Sequence, residues 1–142
     1  MQTIIWWIRR DLRIDHNPAL NAAIKEANQL IPLFIIDPNI YQNTASPRQR
    51  FLMAGLRQLS TDLQNRGSQL IIRKGKPLEI LTECLKSHHI SAIYAEEDIT
   101  PYAIQRDQEI QNVLPLKLVS GLLLQHPELV RKKDNTPYRT FT

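Results

Sequence analysis

The sequence opens with TIIWWI at residues 3–8, a run of apolar, β-branched and aromatic side chains that Arg9 and Arg10 close at once. A continuous apolar run of this length, without polar alternation, is typical of a strand buried on both faces. Similar short apolar runs follow at residues 30–36, 69–73, 91–95 and 116–119. Between the runs, apolar residues recur at helical spacing over residues 18–27, 46–67, 77–87 and 101–113.

This strict alternation of strands and helices predicts an α/β fold. We expect a doubly wound, Rossmann-like parallel sheet of five strands in the order 3-2-1-4-5, with helices on both faces. Pro32 lies inside the second run, and because proline has no N–H to donate, it predicts an irregularity or a sheet edge there. We expect a loop over residues 38–45. The apolar positions expected to face the sheet are Phe51, Leu52, Leu56, Leu59 and Leu63 on the second long helix and Ile104, Ile110 and Val113 on the last one.

Bulk composition limits the function classes. A chain of 142 residues corresponds to one domain. Its single cysteine excludes an internal disulfide, and nothing resembles a zinc ligand set, so we expect no metal. The apolar run at residues 4–8 is too short to span a membrane, and we expect a cytoplasmic protein. A net charge of +4 permits contact with nucleic acid without requiring it.

Common enzymatic motifs are missing. The turn after the first strand contains no glycine, which argues against a nicotinamide dehydrogenase, and the sequence has neither a P-loop nor a nucleophile elbow. No cysteine–histidine pair is spaced for catalysis, and we predict no catalytic residue in this chain. In doubly wound sheets ligands bind beyond the carboxyl ends of the strands. The loops there that carry most functional groups are residues 9–13 and residues 96–100.

Several stretches, taken in order, resemble the landmarks of the N-terminal α/β domain of the DNA photolyase and cryptochrome family. They are WWIRRDLRIDHNPAL at 6–20, LFIIDP at 33–38, SPRQRFLMAGLRQL at 46–59, EEDITPYAIQRD at 96–107 and TPYRTFT at 136–142. The resemblance covers essentially the whole chain. Each motif alone is weak, but their common order and spacing make the resemblance specific.

The resemblance implies a light-harvesting function. In this family the N-terminal domain binds an antenna chromophore, and a separate helical domain holds FAD and receives the pyrimidine dimer. We therefore expect residues 1–130 to form the antenna domain and residues 131–142 to begin a linker to a helical FAD domain that this sequence lacks. The parent would be a light-driven DNA repair lyase, while this chain alone would be inactive and bind DNA weakly at best. A cryptochrome-type signalling module and an unrelated nucleotide-binding domain are the alternatives.

The family uses a folate, an 8-hydroxy-5-deazaflavin or a flavin as its antenna. Folate-binding members place a glutamate where this chain has Ala103, preceded by Tyr102. The resemblance therefore favours 8-hydroxy-5-deazaflavin, with FMN or folate as alternatives.

The resemblance also implies the residues that contact the antenna. The ones we expect at the chromophore are Phe34, Ile35, Asp37, Arg48, Asp98, Thr100, Tyr102 and Arg106. Phe34, Ile35 and Asp37 would lie against the ring, and Arg48 would meet a ring oxygen or the polar tail. Asp98 would accept from a ring nitrogen or hydroxyl, and the others would line the start of the helix. Simpler alternatives are core packing for the apolar pair, a surface position for Arg48 and helix capping by Asp98.

The loop at residues 9–13 surrounds one carboxylate, Asp11, with the guanidinium groups of Arg9, Arg10 and Arg13. We expect a structural salt-bridge cluster or an interface to a second domain, since three guanidiniums leave donors to spare.

Overall fold

The computed structural model describes residues 2–41 and 46–121, and its strands form one parallel sheet. The strands are β1 (Thr3–Ile8), β2 (Gln29–Ile36), β3 (Ile71–Lys74), β4 (Ile90–Glu96) and β5 (Leu116–Val119). The helices are α1 (Pro18–Glu26), α2 (Pro38–Tyr41), α3 (Ser46–Asn65), α4 (Pro77–Ser87) and α5 (Pro101–Gln111). The strand order is β3-β2-β1-β4-β5, so the predicted fold class and order are confirmed. The expected domain boundary near residue 130 lies outside the described residues.

The central strand β1 separates two apolar layers. Ile5 and Trp7 point toward one face of the sheet, where they join a buried cluster with residues of α4 and α5. Trp6 and Ile8 point to the opposite face and pack with residues of α1 and α3. Because successive side chains of a strand alternate between faces, this arrangement explains why β1 is apolar throughout. Helices therefore cover both faces, as predicted.

Local capping signals position the helices that follow the strands. Asn17 is the N-cap of α1, and its side-chain oxygen accepts the backbone N–H of Leu20 at 3.0 Å. Proline occupies the first turn of α1, α4 and α5, where no backbone donor is required. These signals are readable in the sequence, and the predicted starts at Pro18, Pro77 and Pro101 are correct.

The loop expected over residues 38–45 begins instead with the short helix α2. Asp37 Oδ1 accepts the backbone N–H of Asn39 at 3.0 Å, and its carbonyl accepts from Ile40 and Tyr41. An aspartate at the N-cap followed by proline is a helix-start signal, so the expected loop is wrong over residues 38–41. Residues 42–45 lie outside the described residues.

Three positions expected in the core are exposed. Phe51 on α3 is 79% exposed, while Ile104 and Val113 near α5 are 45% and 66% exposed. The buried face of α5 consists of Ala103, Arg106, Asp107 and Ile110. The prediction followed apolar residues, but the helix turns two charged side chains toward the sheet.

Pro32 does not disturb the sheet. The register of β1 and β2 runs on through the pair Trp6–Pro32 without a break. The strand β3 begins only opposite Leu33, one residue later. The sheet therefore ends locally at Pro32 on the β3 side, which agrees with the predicted edge and not with a bulge.

Candidate functional site

The carboxyl ends of β1 and β2 open onto a small cavity of about 20 Å³, which we call the central cavity. Its wall is formed by residues that end the strands or follow them, together with residues of α2, α4 and α5. They are Trp7, Ile8, Arg9, Phe34, Ile35, Asp37, Ile40, Tyr41, Pro77 and Arg106. This is the edge where doubly wound sheets bind ligands. It includes four of the predicted chromophore residues, namely Phe34, Ile35, Asp37 and Arg106.

Arg9 ties the end of β1 to α5. Its Nη1 donates to both carboxylate oxygens of Asp107, at 2.7 and 2.9 Å, and its Nη2 donates to the carbonyl of Glu96. The guanidinium carbon lies 4.8 Å from the centre of the Trp7 ring. Burial lowers the pKa of Arg9, and the charge of Asp107 opposes that shift. A buried ion pair of this kind fixes α5 against the sheet.

Arg106 shares the same carboxylate. Its Nε donates to Asp107 Oδ1 at 3.0 Å, and its guanidinium lies 5.1 Å from the Trp7 ring centre and 5.6 Å from that of Tyr102. Its side chain is only 9% exposed. The remaining nitrogen Nη2 is buried and has no hydrogen-bond partner among the residues described. Arg106 therefore brings an unused donor to the cavity.

Asp37 is buried, and its own neighbourhood uses both of its oxygens. Oδ1 accepts from the backbone of Asn39, and Oδ2 accepts from the Tyr102 hydroxyl at 2.5 Å. Burial raises the pKa of Tyr102, and the hydrogen bond to Asp37 raises it further. Burial and the charge of Asp37 likewise raise the pKa of Tyr41. Both phenols are thus neutral donors at ordinary pH.

Phe34 and Ile35 are 1% and 4% exposed, so they line the cavity from within the core. The Phe34 ring lies 6.2 Å from the ring of Tyr41, tilted by 44°. Each side chain therefore packs in the core and also forms part of the cavity wall.

Arg48 lies apart from the central cavity. It is exposed on α3 and lines a second, open groove with Arg10, Pro47, Phe51 and Leu52. Ile40 and Tyr41 belong to the walls of both spaces, so this outer groove adjoins the central cavity. The exposed ring of Phe51 contributes to the groove and not to the core.

Asp98 and Thr100 precede α5. Asp98 Oδ1 accepts the backbone N–H of Thr100 at 3.0 Å and lies 3.9 Å from Arg10. Burial by itself would raise the pKa of Asp98, but these hydrogen bonds and the nearby arginines lower it overall. Thr100 is the N-cap residue of α5 and is exposed, with no side-chain capping bond. Asp98 thus stabilises the turn before α5 and forms an ion pair with Arg10, which lines the outer groove.

In the loop at residues 9–13 the Asp11 carboxylate accepts hydrogen bonds, and two of the arginines pair with carboxylates outside the loop. The Asp11 carboxylate accepts from the Arg9 backbone at 3.0 Å, from Trp6 Nε1 at 3.4 Å and from Asn17 Nδ2 at 3.0 Å. Ion pairs in the described part of the chain join Arg9 to Asp107 and Arg10 to Asp98 instead. Asp11 therefore acts as a backbone and side-chain acceptor that closes the loop.

Trp7, Tyr41 and Asp107 also belong to this region, although they were not predicted as site residues. A signal for Asp107 was present, because its spacing from Ala103 and Ile110 places it on the buried stripe of α5. A carboxylate on such a stripe requires a buried cation, and Arg9 supplies it. No helix within residues 2–41 or 46–121 is long and apolar enough to cross a membrane.

Comparison with known proteins agrees with this architecture. A family profile described as DNA photolyase matches residues 4–142. The deoxyribodipyrimidine photo-lyase of a Synechococcus strain is 31% identical over 97% of this chain and 30% of its own length. A cryptochrome DASH of Arabidopsis thaliana is 30% identical over 96% of this chain and 26% of its own length. The solved archaeal photolyase of Sulfolobus tokodaii superposes with a TM-score of 0.83 at 30% identity, covering 92% of this chain and 32% of its own.

The fold is that of a doubly wound α/β domain with a small cavity at the carboxyl edge of the sheet. The chain belongs to the DNA photolyase family, whose relatives here include photolyases and cryptochromes. It spans less than a third of the length of each of these three relatives.

Proposed function

We propose that this domain binds the light-harvesting chromophore of a photolyase. The observation that carries the proposal is the outer groove, about 570 Å³ in volume, which adjoins the central cavity at Ile40 and Tyr41. The central cavity, at about 20 Å³, would form only the inner end of the site, where Phe34, Ile35, Asp37 and Arg106 converge. An aromatic and apolar wall with a few polar groups is the usual composition of a site for a flat cofactor. The Sulfolobus tokodaii photolyase supports the proposal, since its structure holds two FAD molecules and is described as implying a novel light-harvesting cofactor.

We propose 8-hydroxy-5-deazaflavin as the preferred chromophore, a flavin as the second candidate and a folate as the third. Folate-binding members of the family have a glutamate at the position that Ala103 occupies here, so this chain offers no carboxylate there. Ala103 is buried, with 1% of its surface exposed. The outer groove adds room next to the central cavity, and Arg48 and Asp98 stand near it as polar anchors for a ring or its tail. The two FAD molecules of the Sulfolobus relative support the flavin.

The proposed activity of the whole protein is light-driven repair of pyrimidine dimers in DNA. The antenna would pass its excitation to FAD in a helical domain, and that flavin would donate an electron to the dimer. These 142 residues alone would not repair DNA, and they would bind it weakly and in a salt-dependent way, because their charge is modest. Light-dependent repair of a dimer-containing oligonucleotide by the purified chain would contradict this.

A cryptochrome-type photoreceptor without repair activity is the second candidate. The similarity to cryptochrome DASH of Arabidopsis thaliana, at 30% identity, favours it to nearly the same degree as the photolyase similarity. Both candidates require the same chromophore site. Repair assays on the whole protein would distinguish them.

We also propose that the loop at residues 9–13 contacts a second domain. Arg9 and Asp11 are buried within this domain, so the contact would fall on the other two arginines. The Arg10 side chain is 75% exposed. Arg13 Nη2 is buried without a hydrogen-bond partner among the described residues.

The experiment that tests the chromophore site is a fluorescence titration of the purified chain with 8-hydroxy-5-deazaflavin, FMN and a reduced folate. We expect the deazaflavin to bind tightest and the folate weakest. Arg48→Ala should weaken deazaflavin binding, by roughly tenfold to a hundredfold if the bound ligand shields this contact from water. Arg50→Ala, an exposed neighbour outside both spaces, is the matched control. Tightest binding of folate, or an unchanged affinity in Arg48→Ala, would contradict the assignment.

A further inference from the structure

Two guanidinium groups bring unused donors to the central cavity. Arg9 Nε and Arg106 Nη2 are both buried, and neither has a hydrogen-bond partner within the described residues. Both residues line the same cavity although they come from different elements, the end of β1 and the first half of α5. Buried donors are nearly always paired in folded proteins, so each of these two calls for an acceptor that residues 2–41 and 46–121 do not supply.

The two carboxylates in contact with Arg106 or Tyr102, Asp107 and Asp37, already accept hydrogen bonds. Asp107 receives both bonds from Arg9 Nη1 and one from Arg106 Nε. Asp37 receives one bond from the Asn39 backbone and one from the Tyr102 hydroxyl. In this arrangement neither carboxylate accepts a hydrogen bond from Arg106 Nη2.

The Tyr102 ring packs against the Arg106 guanidinium, and its hydroxyl donates to the carboxylate of Asp37. Its ring centre lies 5.6 Å from the Arg106 guanidinium carbon, and its hydroxyl lies 2.5 Å from Asp37 Oδ2. The residue is 39% exposed in the first turn of α5. Rotation of this one side chain toward solvent would uncover a donor on Arg106 and free an acceptor on Asp37.

We propose that Arg106 and Asp37 together recognise the imide edge of the chromophore ring, and that Tyr102 holds their places until the ring binds. Arg106 Nη2 donates to a ring carbonyl, and Asp37 Oδ2 accepts the adjacent ring N–H. The pyrimidinedione ring of deazaflavins and flavins presents this pair of groups side by side. A phosphate would suit the arginine but would be repelled by the carboxylate. This assignment rests on the proposed function and adds to it which atoms of the chromophore ring the protein recognises.

The test compares 8-hydroxy-5-deazariboflavin, riboflavin and FMN by fluorescence titration of the full chain. The three share the imide edge, and only FMN carries a phosphate. Arg106→Gln should raise the dissociation constant of all three by roughly tenfold to a hundredfold. Arg57→Gln, an exposed arginine of α3, should leave them unchanged. Circular dichroism checks that each variant is folded.

A second measurement needs no variant. Riboflavin methylated at the imide nitrogen lacks the N–H that Asp37 would accept, so the unchanged protein should bind it roughly tenfold or more weakly than riboflavin. Equal binding of the two would overturn the proposal, as would a folded Arg106→Gln protein with unchanged affinity, or a loss confined to FMN. If the unchanged protein binds none of the three tricyclic ligands, the proposed function fails together with this assignment.

Discussion

Trp6 and Trp7 are neighbours in β1, yet they belong to different regions of the molecule. Trp6 points to the face covered by α1 and α3, is fully buried and uses its indole N–H on Asp11 at 3.4 Å. Trp7 points to the other face, lines the central cavity and lies beneath two guanidinium groups. Two tryptophans near the carboxyl end of the central strand thus have different functions. Trp6 packs in the apolar core, whereas the ring of Trp7 stacks against the guanidinium groups of Arg9 and Arg106.

The largest expected effect concerns the carboxylate that both guanidiniums beside Trp7 share. Asp107→Asn removes the charge while keeping the shape, so Arg9 and Arg106 remain buried without a counter-ion. We expect a loss of about 3–5 kcal/mol in the free energy of unfolding, measured by urea denaturation. Glu109→Gln, on the exposed side of the same helix, is the control. A loss no greater than that of the control would show that the ion pair does not hold α5.

The two tryptophans can be exchanged for phenylalanine one at a time. Both substitutions should lower the free energy of unfolding, by about 1–3 kcal/mol each, because each leaves a gap in a buried layer. Only Trp7→Phe should also weaken chromophore binding, since Trp7 alone of the pair lines the cavity. The measurement is a titration of each variant with 8-hydroxy-5-deazariboflavin, and an equal loss of affinity in both variants would remove the proposed distinction.

Replacing Tyr102 should have a smaller, pH-dependent effect on the free energy of unfolding. Its pKa is raised in the folded protein, so the folded state keeps the phenol proton after the unfolded chain has lost it. The stabilisation is complete below the ordinary tyrosine pKa of about 10 and is lost as the pH rises through the folded value. Tyr102→Phe should therefore reduce the decline of the urea midpoint above pH 10.

Tyr41 and Tyr94 also have raised pKa values, so part of that decline should remain in the variant. At neutral pH, loss of the hydrogen bond to Asp37 should cost about 1 kcal/mol. An unchanged pH profile in Tyr102→Phe would mean that this phenol is not linked to folding.

The smallest change in the free energy of unfolding is expected for the exposed ion pair beside the outer groove, in which Arg10 and Asp98 lie 3.9 Å apart. Water screens this pair, and Arg10→Gln should change the free energy of unfolding by less than about 1 kcal/mol. The difference should shrink further in high salt. A salt-independent loss above that value would show that the rim pair is structurally as important as the buried one.

The fold was predictable because its signals are local. The strands at residues 3–8 and 116–119 and the helix at residues 77–87 have the predicted bounds, since apolar runs, prolines and capping residues define each of them within a few positions. The order of the sheet followed from the alternation of strands and helices alone.

The site was less predictable because its key contacts are distant in sequence. The pairing of Arg9 with Asp107 spans 98 positions, and no local pattern announces it. The hydrophobic pattern located Ile110 correctly but also selected Ile104 and Val113, which are exposed. It passed over Arg106 and Asp107 because charged residues are ordinarily taken to lie on the surface. Phe34 and Ile35, by contrast, could be located because they end a recognisable strand.

The short edge at Pro32 has a consequence for how copies of this protein behave toward one another. An exposed strand edge offers free backbone groups to which a second molecule can add a strand, the first step of many aggregation reactions. Here the edge strand β3 has only four residues, two of them Arg73 and Lys74, and the strand behind it presents a proline one position before β3 begins. A neighbouring chain would meet positive charge and then a position with no N–H to offer, so this side of the sheet resists self-association.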